Sequence, residues 1–269
     1  MKRTTYILLG LFLSGILAIV VGTFIISSHG TSRNANELHF GGEMKMKELP
    51  PFHAIIISDV DSRVSGSELY FEGGGMEIVP STNGKNIFSC PQEAMQYLDL
   101  KVINDTLKIK FDYPVENLPE HLRNRSTIYA YGDAWNLQVA QTVDYINSND
   151  SHFKLIFKGL VQDTLSAGTS MTIAVDSCRF TSLDIWKARI LDLKSGEIDK
   201  LYLDLDNINS WGIDAKKLRL NTEYLTGSNN NVQLQKGECK QMYWIPKNTD
   251  SELRVTLKER SCITVDDSE

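Results

Sequence analysis

The sequence predicts an all-β protein, a parallel β-solenoid behind one N-terminal transmembrane helix, with a β-sandwich as the alternative. Three observations carry this. Short segments alternate apolar and polar residues, those segments recur at near-constant spacing, and a long uncharged apolar run opens the chain. In Leu201–Asp206, leucines 201, 203 and 205 fall on one side while Tyr202, Asp204 and Asp206 fall on the other. That period of two belongs to a strand with one buried face. The same texture appears at 181–185, 218–220, 232–234 and 242–244. Leu183 to Leu201 is a step of 18 residues, Leu201 to Leu218 a step of 17, and Ile190 to Ile208 again 18. Gly and Asn mark the corners between segments, at Gly196, Asn209, Gly212, Gly227–Asn231 and Gly237. Both tolerate the left-handed backbone that tight corners require. One coil of short strands cannot bury its apolar face alone, so coils must stack. A sandwich with strands every 8–12 residues gives similar local texture, and the repeat drifts in length after Leu220.

Taken in order, the chain opens with Lys2 and Arg3 and then runs uncharged from Tyr6 to Ile26. Those 21 residues make a helix of about 31 Å, the thickness of a bilayer core. The basic residues before it favour a cytoplasmic N-terminus with the remainder outside. A cleaved signal peptide opens in the same way, but no Ala-x-Ala site follows, so an uncleaved signal anchor over 1–28 is expected. Residues 29–47 read as a polar tether, 48–265 as the extracytoplasmic β domain, and 266–269 as an acidic tail.

Within the domain, Phe52–Ser58 reads as the first strand. Gly73–Gly75 reads as a hairpin loop, since neither a Lys-Ser/Thr pair nor a helix follows to make a phosphate loop. Pro91–Leu98 reads as a short helix. Leu100–Ile103 and Leu107–Phe111 read as a hairpin whose loop Thr106 lengthens. Residues 114–151 read as an irregular insertion. Leu253–Leu257 and Ser261–Val265 read as a final hairpin closing the open end of the stack.

The net charge of −6 and the scattered Lys and Arg lack the footprint of a nucleic-acid binder. Cys90, Cys178, Cys239 and Cys262 form no CxxC and meet no histidine at zinc spacing. Outside the cytoplasm they fit either two disulfides or four thiols. No metal or cofactor is expected.

The run Phe52-His53-Ala54-Ile55, then Glu77-Ile78-Val79, then Leu100-Lys101-Val102-Ile103-Asn104-Asp105-Thr106-Leu107-Lys108-Ile109 resembles the auto-transporter adhesin head (GIN) domain family of Bacteroidetes. The resemblance covers about residues 49–245, best in its first third, and the middle segment departs from it. It implies an export segment, a right-handed parallel β-helix-like body and an adhesin-like role, and it carries over no catalytic residue.

No GxSxG or HExxH is present, and no histidine neighbours a nucleophile motif. Asp184, Asp192, Asp199, Asp204, Asp206 and Asp214 fall on or beside successive strands. Clustered carboxylates of this kind suit a hard cation or acid–base hydrolysis, with Asp204, Asp206 and Asp214 the candidates; solvated surface is the simpler account. Trp186, Tyr202, Tyr224 and Tyr243 are placed outward, where sugar rings stack on flat apolar faces, while Trp211 and Trp244 are placed inward. The leading expectation is a non-enzymatic binding or structural module, held in the membrane by Tyr6–Ile26 and contacting a glycan or an envelope protein. A carbohydrate-active enzyme is the first alternative. An envelope sensor acting through a membrane partner is the second.

Overall fold

In-register pairing between similar strands builds most of this molecule. The structure, a computed structural model, describes residues 3–29, 36–58, 68–71, 75–148, 154–213, 217–228, 233–235, 239–256 and 262–265. Among the described residues, apart from the helix Arg3–His29 and the short helix Gln92–Met95, regular structure is strand with brief 3-10 turns.

Two long sheets run side by side. In the first, Val161–Thr169 pairs in parallel with Cys178–Leu193, which pairs with Gly196–Asp204, then Leu218–Gly227, then Cys239–Pro246, then Cys262–Val265. Leu183 lies beside Leu201 and Ile185 beside Leu203, so the 18-residue step is a real ladder step. In the second sheet, Lys154–Lys158 pairs in parallel with Thr172–Asp176, which pairs with the end of Cys178–Leu193, which pairs with Ile208–Ile213. The chain therefore lays one strand in the first sheet, turns, lays one in the second, and returns one rung further on.

Inward columns fill the space between the sheets. Leu165, Leu183, Leu201, Glu223 and Met242 stand in one column, and Ile146, Ala167, Ile185, Leu203, Leu225 and Trp244 in the next. All are buried. A fully buried Leu or Ile contributes about 1.5–3 kcal/mol of transfer free energy, so these columns dominate the stability of this half. Trp244 points inward as expected, and the Trp211 side chain lies outside the described residues.

Corners need special backbone. Gly196 has φ +121°, and a Cβ there would lie 2.0 Å from the Cys178 carbonyl oxygen, so only glycine fits. The same corner is tied by Asp176, which accepts from the Ser195 hydroxyl at 2.5 Å and the Ser177 hydroxyl at 3.0 Å. Those two hydroxyls hold its carboxyl below the ordinary range, against a smaller opposing effect of burial.

Toward the N-terminus the pattern changes. Ala54–Ser58 pairs in parallel with both Thr106–Phe111 and Tyr145–Ser148. Three antiparallel pairs end the sheets: Leu98–Ile103 with Thr106–Phe111, Met44–Leu49 with Asn86–Pro91, and Asn86–Pro91 with Trp135–Val139. The hairpin turn is the two-residue Asn104-Asp105, both at positive φ (49° and 62°), because Thr106 pairs with Ile103 instead of lengthening the loop. A separate three-stranded parallel sheet joins Glu37–Phe40, Thr127–Gly132 and Glu68–Phe71.

Several sequence expectations are corrected here. The stretch expected as a tether holds strands from Glu37 onward, and the expected irregular insertion holds three strands. Glu68–Phe71 and Gly75–Pro80 join different sheets and form no hairpin; Gly73 and Gly74 lie outside the described residues. Arg254–Thr256 pairs in parallel with Gln233–Gln235, and Cys262–Val265 pairs in parallel with Cys239–Pro246, so the end is no hairpin either. No disulfide forms: Cys90, Cys178 and Cys239 are buried and Cys262 is exposed. Burial pushes the Cys90 thiol up to about 12 and raises Cys178 as well.

The side chains of the N-terminal helix are described over 11–24, and they are mostly exposed. Among the described residues no helix is long and apolar enough to cross a membrane.

Candidate functional site

The outward side of the first sheet carries a column set by register alone. Tyr145 lies beside Ser166, Ser166 beside Asp184, Asp184 beside Tyr202, Tyr202 beside Tyr224, Tyr224 beside Tyr243, and Tyr243 beside Thr264. Three of the four aromatics expected outward are thus brought together. Tyr202 and Tyr224 stack with centroids 4.5 Å apart and planes within 8°; Tyr224 and Tyr243 stack at 5.0 Å and 9°. This matches the ladder spacing of about 4.8 Å. Both faces of Tyr224 are therefore covered by neighbouring rings. The strip offers ring edges and hydroxyls along its length, and a ring face only at its ends.

Trp186 stands apart from this strip. It is the extra residue at a bulge, where Ala167 faces Ile185 but Gly168 faces Lys187. Its indole lies back over Gly168: a Cβ there would come within 2.3 Å of the ring. Tyr145 stacks beside it with planes within 4° and centroids 6.4 Å apart. Between this pair and the tyrosine strip, Ser166 donates to Asp184 at 2.8 Å. The face thus reads aromatic, polar, aromatic along the ladder. Tyr145 and Gly168 were not singled out in the sequence, because neither lies in a repeat of its own kind.

The carboxylates expected as catalytic do something else. Asp204 caps the 3-10 turn Leu205–Asn207 by accepting from the Asp206 amide at 3.2 Å. It also accepts from Lys247 Nζ at 2.6 Å and from Asn207 Nδ2 at 2.7 Å. Asp206 accepts from the Ser228 amide at 2.8 Å, the Ser228 hydroxyl at 2.7 Å and Lys247 Nζ at 3.0 Å. Burial pushes the Asp206 carboxyl up, but the Ser228 bonds and the Lys247 ammonium outweigh it and bring the group down to about 2. Burial likewise works against the Lys247 charge, and its two carboxylate partners more than restore it. These groups clamp three successive rungs at a corner. Their acceptor positions are taken by the chain itself, which leaves them poorly suited to sharing a proton with a substrate. Asp214 lies outside the described residues.

Around the corner of the same sheet runs a polar groove of about 750 Å3. Val161 and Phe180 line it together with the polar groups of Thr142, Gln162, Asp163, Arg179, Thr181, Glu197, Asp199 and Asn221. Thr181 donates to Asp163 at 3.3 Å and Asn221 Nδ2 to Asp199 at 2.8 Å. Arg179 Nε lies 3.5 Å from Glu197. Asp199 and Asp184 were noticed in the sequence as strand carboxylates. The groove escaped notice because a corner of the coil brings its columns together. Among the described residues no group of three His, Cys, Asp or Glu side chains converges to hold a metal ion.

His53 Nδ1 and Asp105 Oδ2 lie 2.8 Å apart, and the His53 amide donates to the Asp105 carbonyl at 3.0 Å. Both side chains are well exposed. The pair fastens the Asn104-Asp105 turn to the adjacent strand.

No protein-family model matches the chain, and no curated protein matches it. Solved structures do. One from Bacteroides fragilis, described as a "putative adhesin", is 12% identical, with 85% of this chain and 98% of that one covered and a TM-score of 0.48. One from Parabacteroides distasonis, described as a "putative lipid binding protein", is 13% identical over 85% and 96% of the two chains, with a TM-score of 0.39. A "putative adhesin" from Parabacteroides merdae is 10% identical over 86% and 98%, with a TM-score of 0.35.

Proposed function

We propose that this chain is a non-enzymatic binding module, built as a right-handed parallel β-solenoid and held at the outside of the cytoplasmic membrane by its N-terminal helix. Its working surface is the outward face of the first sheet, which contacts a glycan or an envelope protein. The observation that carries the reading is the alignment of Tyr145, Tyr202, Tyr224 and Tyr243 on one face by strand register, with Trp186 stacked beside Tyr145 from a bulge. Partly exposed aromatics gathered on one face mark contact surfaces more often than scattered ones do. The enzyme reading loses two of its three candidates, since Asp204 and Asp206 are engaged in the corner clamp.

The anchor reading follows from the uncharged run Tyr6–Ile26 behind two basic residues. Cells carrying the chain with a tag after Glu269 provide the test. The full-length chain is expected in the membrane fraction, and protease is expected to digest the domain while the cytoplasmic membrane is still sealed. Protection until that membrane is lysed, or a shortened chain in the soluble fraction, contradicts the proposal.

A further inference from the structure

We propose that the cleft between the small three-stranded sheet and the corner at Ser170 and Met171 is a second binding site, and that it takes a carboxylate-bearing sugar, a uronate unit at the end of a glycan chain. The inference deepens the binding-module reading and rests on it for the ligand's access.

In the three-stranded sheet Leu69, Phe71, Ile128 and Ala130 are buried. Side chains alternate along a strand, so Tyr70 and Tyr129 fall on the outward face. Register sets them side by side, and their rings lie 6.2 Å apart with planes inclined by 37°. The other wall comes from the corner at Ser170 and Met171 and from Arg189, whose amide donates to the Met171 carbonyl at 2.8 Å. With Phe71 and Thr127 these residues line a cleft of about 400 Å3. Small-molecule sites run from about 300 to 1,000 Å3 and combine apolar walls with a few polar groups.

The polar groups of this cleft are accessible and unspent. Arg189 is exposed, and Thr127 and Tyr129 are partly exposed. Among the described residues the Arg189 guanidinium forms no ion pair or hydrogen bond, and the Thr127 and Tyr129 hydroxyls form no hydrogen bond. On the same face Glu37 lies beside Tyr129 in register, but its carboxylate is 3.1 Å from the His39 ring; the Glu68 side chain lies outside the described residues. A guanidinium without a carboxylate beside it is thus open to an anion from outside, in a chain of net charge −6.

The lining selects the anion. A guanidinium holds a carboxylate through two parallel N–H bonds. The tyrosine rings and Met171 offer apolar surface to the C–H side of a pyranose, and the free hydroxyls pair with those of the sugar. An aromatic carboxylate would satisfy Arg189 but cover the hydroxyls without pairing them, which is costly. Inorganic phosphate would leave the apolar wall unused.

The test titrates the purified full chain in detergent with trigalacturonate and with its methyl ester, which keeps the rings and removes the charge. The native chain is expected to bind the acid about tenfold or more tightly than the ester. Arg189→Gln should abolish that preference and leave the melting temperature unchanged, since the side chain contacts nothing acidic in the fold. Tyr129→Phe, which keeps the ring and loses the hydroxyl, should weaken binding of the acid. Equal binding of acid and ester by the native chain, or a preference that survives Arg189→Gln, overturns the site. Benzoate or inorganic phosphate binding as tightly as trigalacturonate overturns the sugar assignment. Loss of binding in Tyr224→Ala but not in Arg189→Gln overturns the cleft while leaving the outward face of the first sheet standing. No binding of trigalacturonate by the native chain overturns this inference alone, because the membrane and protease test decides the location independently.

Discussion

Residues 161–246 and residues 37–111 both form parallel strands, yet they hold together by different means. In the later half the strands of the first sheet each pair with their counterpart one rung on, and the interior is columns of mainly Leu, Ile and Ala, with Glu223, Met242 and Trp244 on the last rungs. In the earlier half most partners other than the Leu98–Phe111 hairpin are far apart in sequence, three of the described pairs are antiparallel, and the interior is rich in aromatic rings. There Phe111 lies edge-on to Phe40, Phe71 and Tyr97, with centroids 5.5, 5.0 and 6.1 Å away, and near Trp135 at 6.0 Å. The difference teaches where stability and function separate. The repeating half gains its outward face from repetition, because each rung sets a side chain above its predecessor. The earlier half ends the stack with antiparallel pairs and one large packed cluster, closing edges that would otherwise be open.

The two ends of the first sheet differ in the same sense. The hairpin Leu98–Ile103 and Thr106–Phe111 covers one end. At the other, Cys262–Val265 leaves Ile263 and Val265 exposed by 42% and 57%, although their ladder partners Met242 and Trp244 are buried.

The largest expected effect breaks the earlier half. Phe111→Ala removes the centre of the aromatic cluster and is expected to cost about 3–5 kcal/mol, read as a lower denaturant midpoint. The loss should exceed that of any single outward substitution in the later half. A loss under about 1 kcal/mol would make the cluster incidental.

Next comes the corner clamp. The folded Asp206 carboxyl sits at about 2, against 3.8 for the ordinary group. Since the folded value is depressed, the stabilisation is fully present above about pH 4 and is lost as pH falls toward 2. One pKa unit is about 1.4 kcal/mol, so the contribution is about 2 kcal/mol. Asp206→Asn should lower stability by that order at pH 7 and flatten its fall between pH 4 and 2. An unchanged acid limb would remove the clamp from the account.

The smallest effect sharpens the reading of the face. Tyr224→Ala removes two ring contacts and should cost about 1 kcal/mol, whereas Tyr224→Phe should leave stability unchanged. A partner that distinguishes native protein from Tyr224→Phe would then be reading the hydroxyl and not the ring.

How much was legible in the sequence follows the same division. The 18-residue step appeared directly in Leu183 and Leu201, because neighbouring rungs repeat one environment; the equal step from Ile190 to Ile208 is no ladder step, since Ile190 lies beside Ser210 and Ile208 beside Ala188. The inward Trp244 and the short helix near residue 92 were legible for similar local reasons. The pairing of Ala54–Ser58 with Thr106–Phe111 was not, since nothing local encodes a partner about fifty residues away. Asp204 and Asp206 looked like an exposed pair because their partner Lys247 lies 43 and 41 residues on. Trp186 looked like another member of the tyrosine strip, and the bulge over Gly168 that sets it apart is visible only in three dimensions.

Everything proposed for the outward face depends on register, since a slip of one residue would turn the tyrosine column inward. A cysteine-pair experiment tests this most directly. Lys200 and Thr222 are register partners on adjacent rungs, and neighbouring strands lie about 4.8 Å apart, within the Cα range of a disulfide. In a Cys262→Ser background, Lys200→Cys with Thr222→Cys should crosslink under mild oxidation, seen by mass and by electrophoretic mobility. Lys200→Cys with Glu223→Cys should not, because position 223 faces the interior. Crosslinking of the second pair and not the first would contradict the ladder and the binding face built on it.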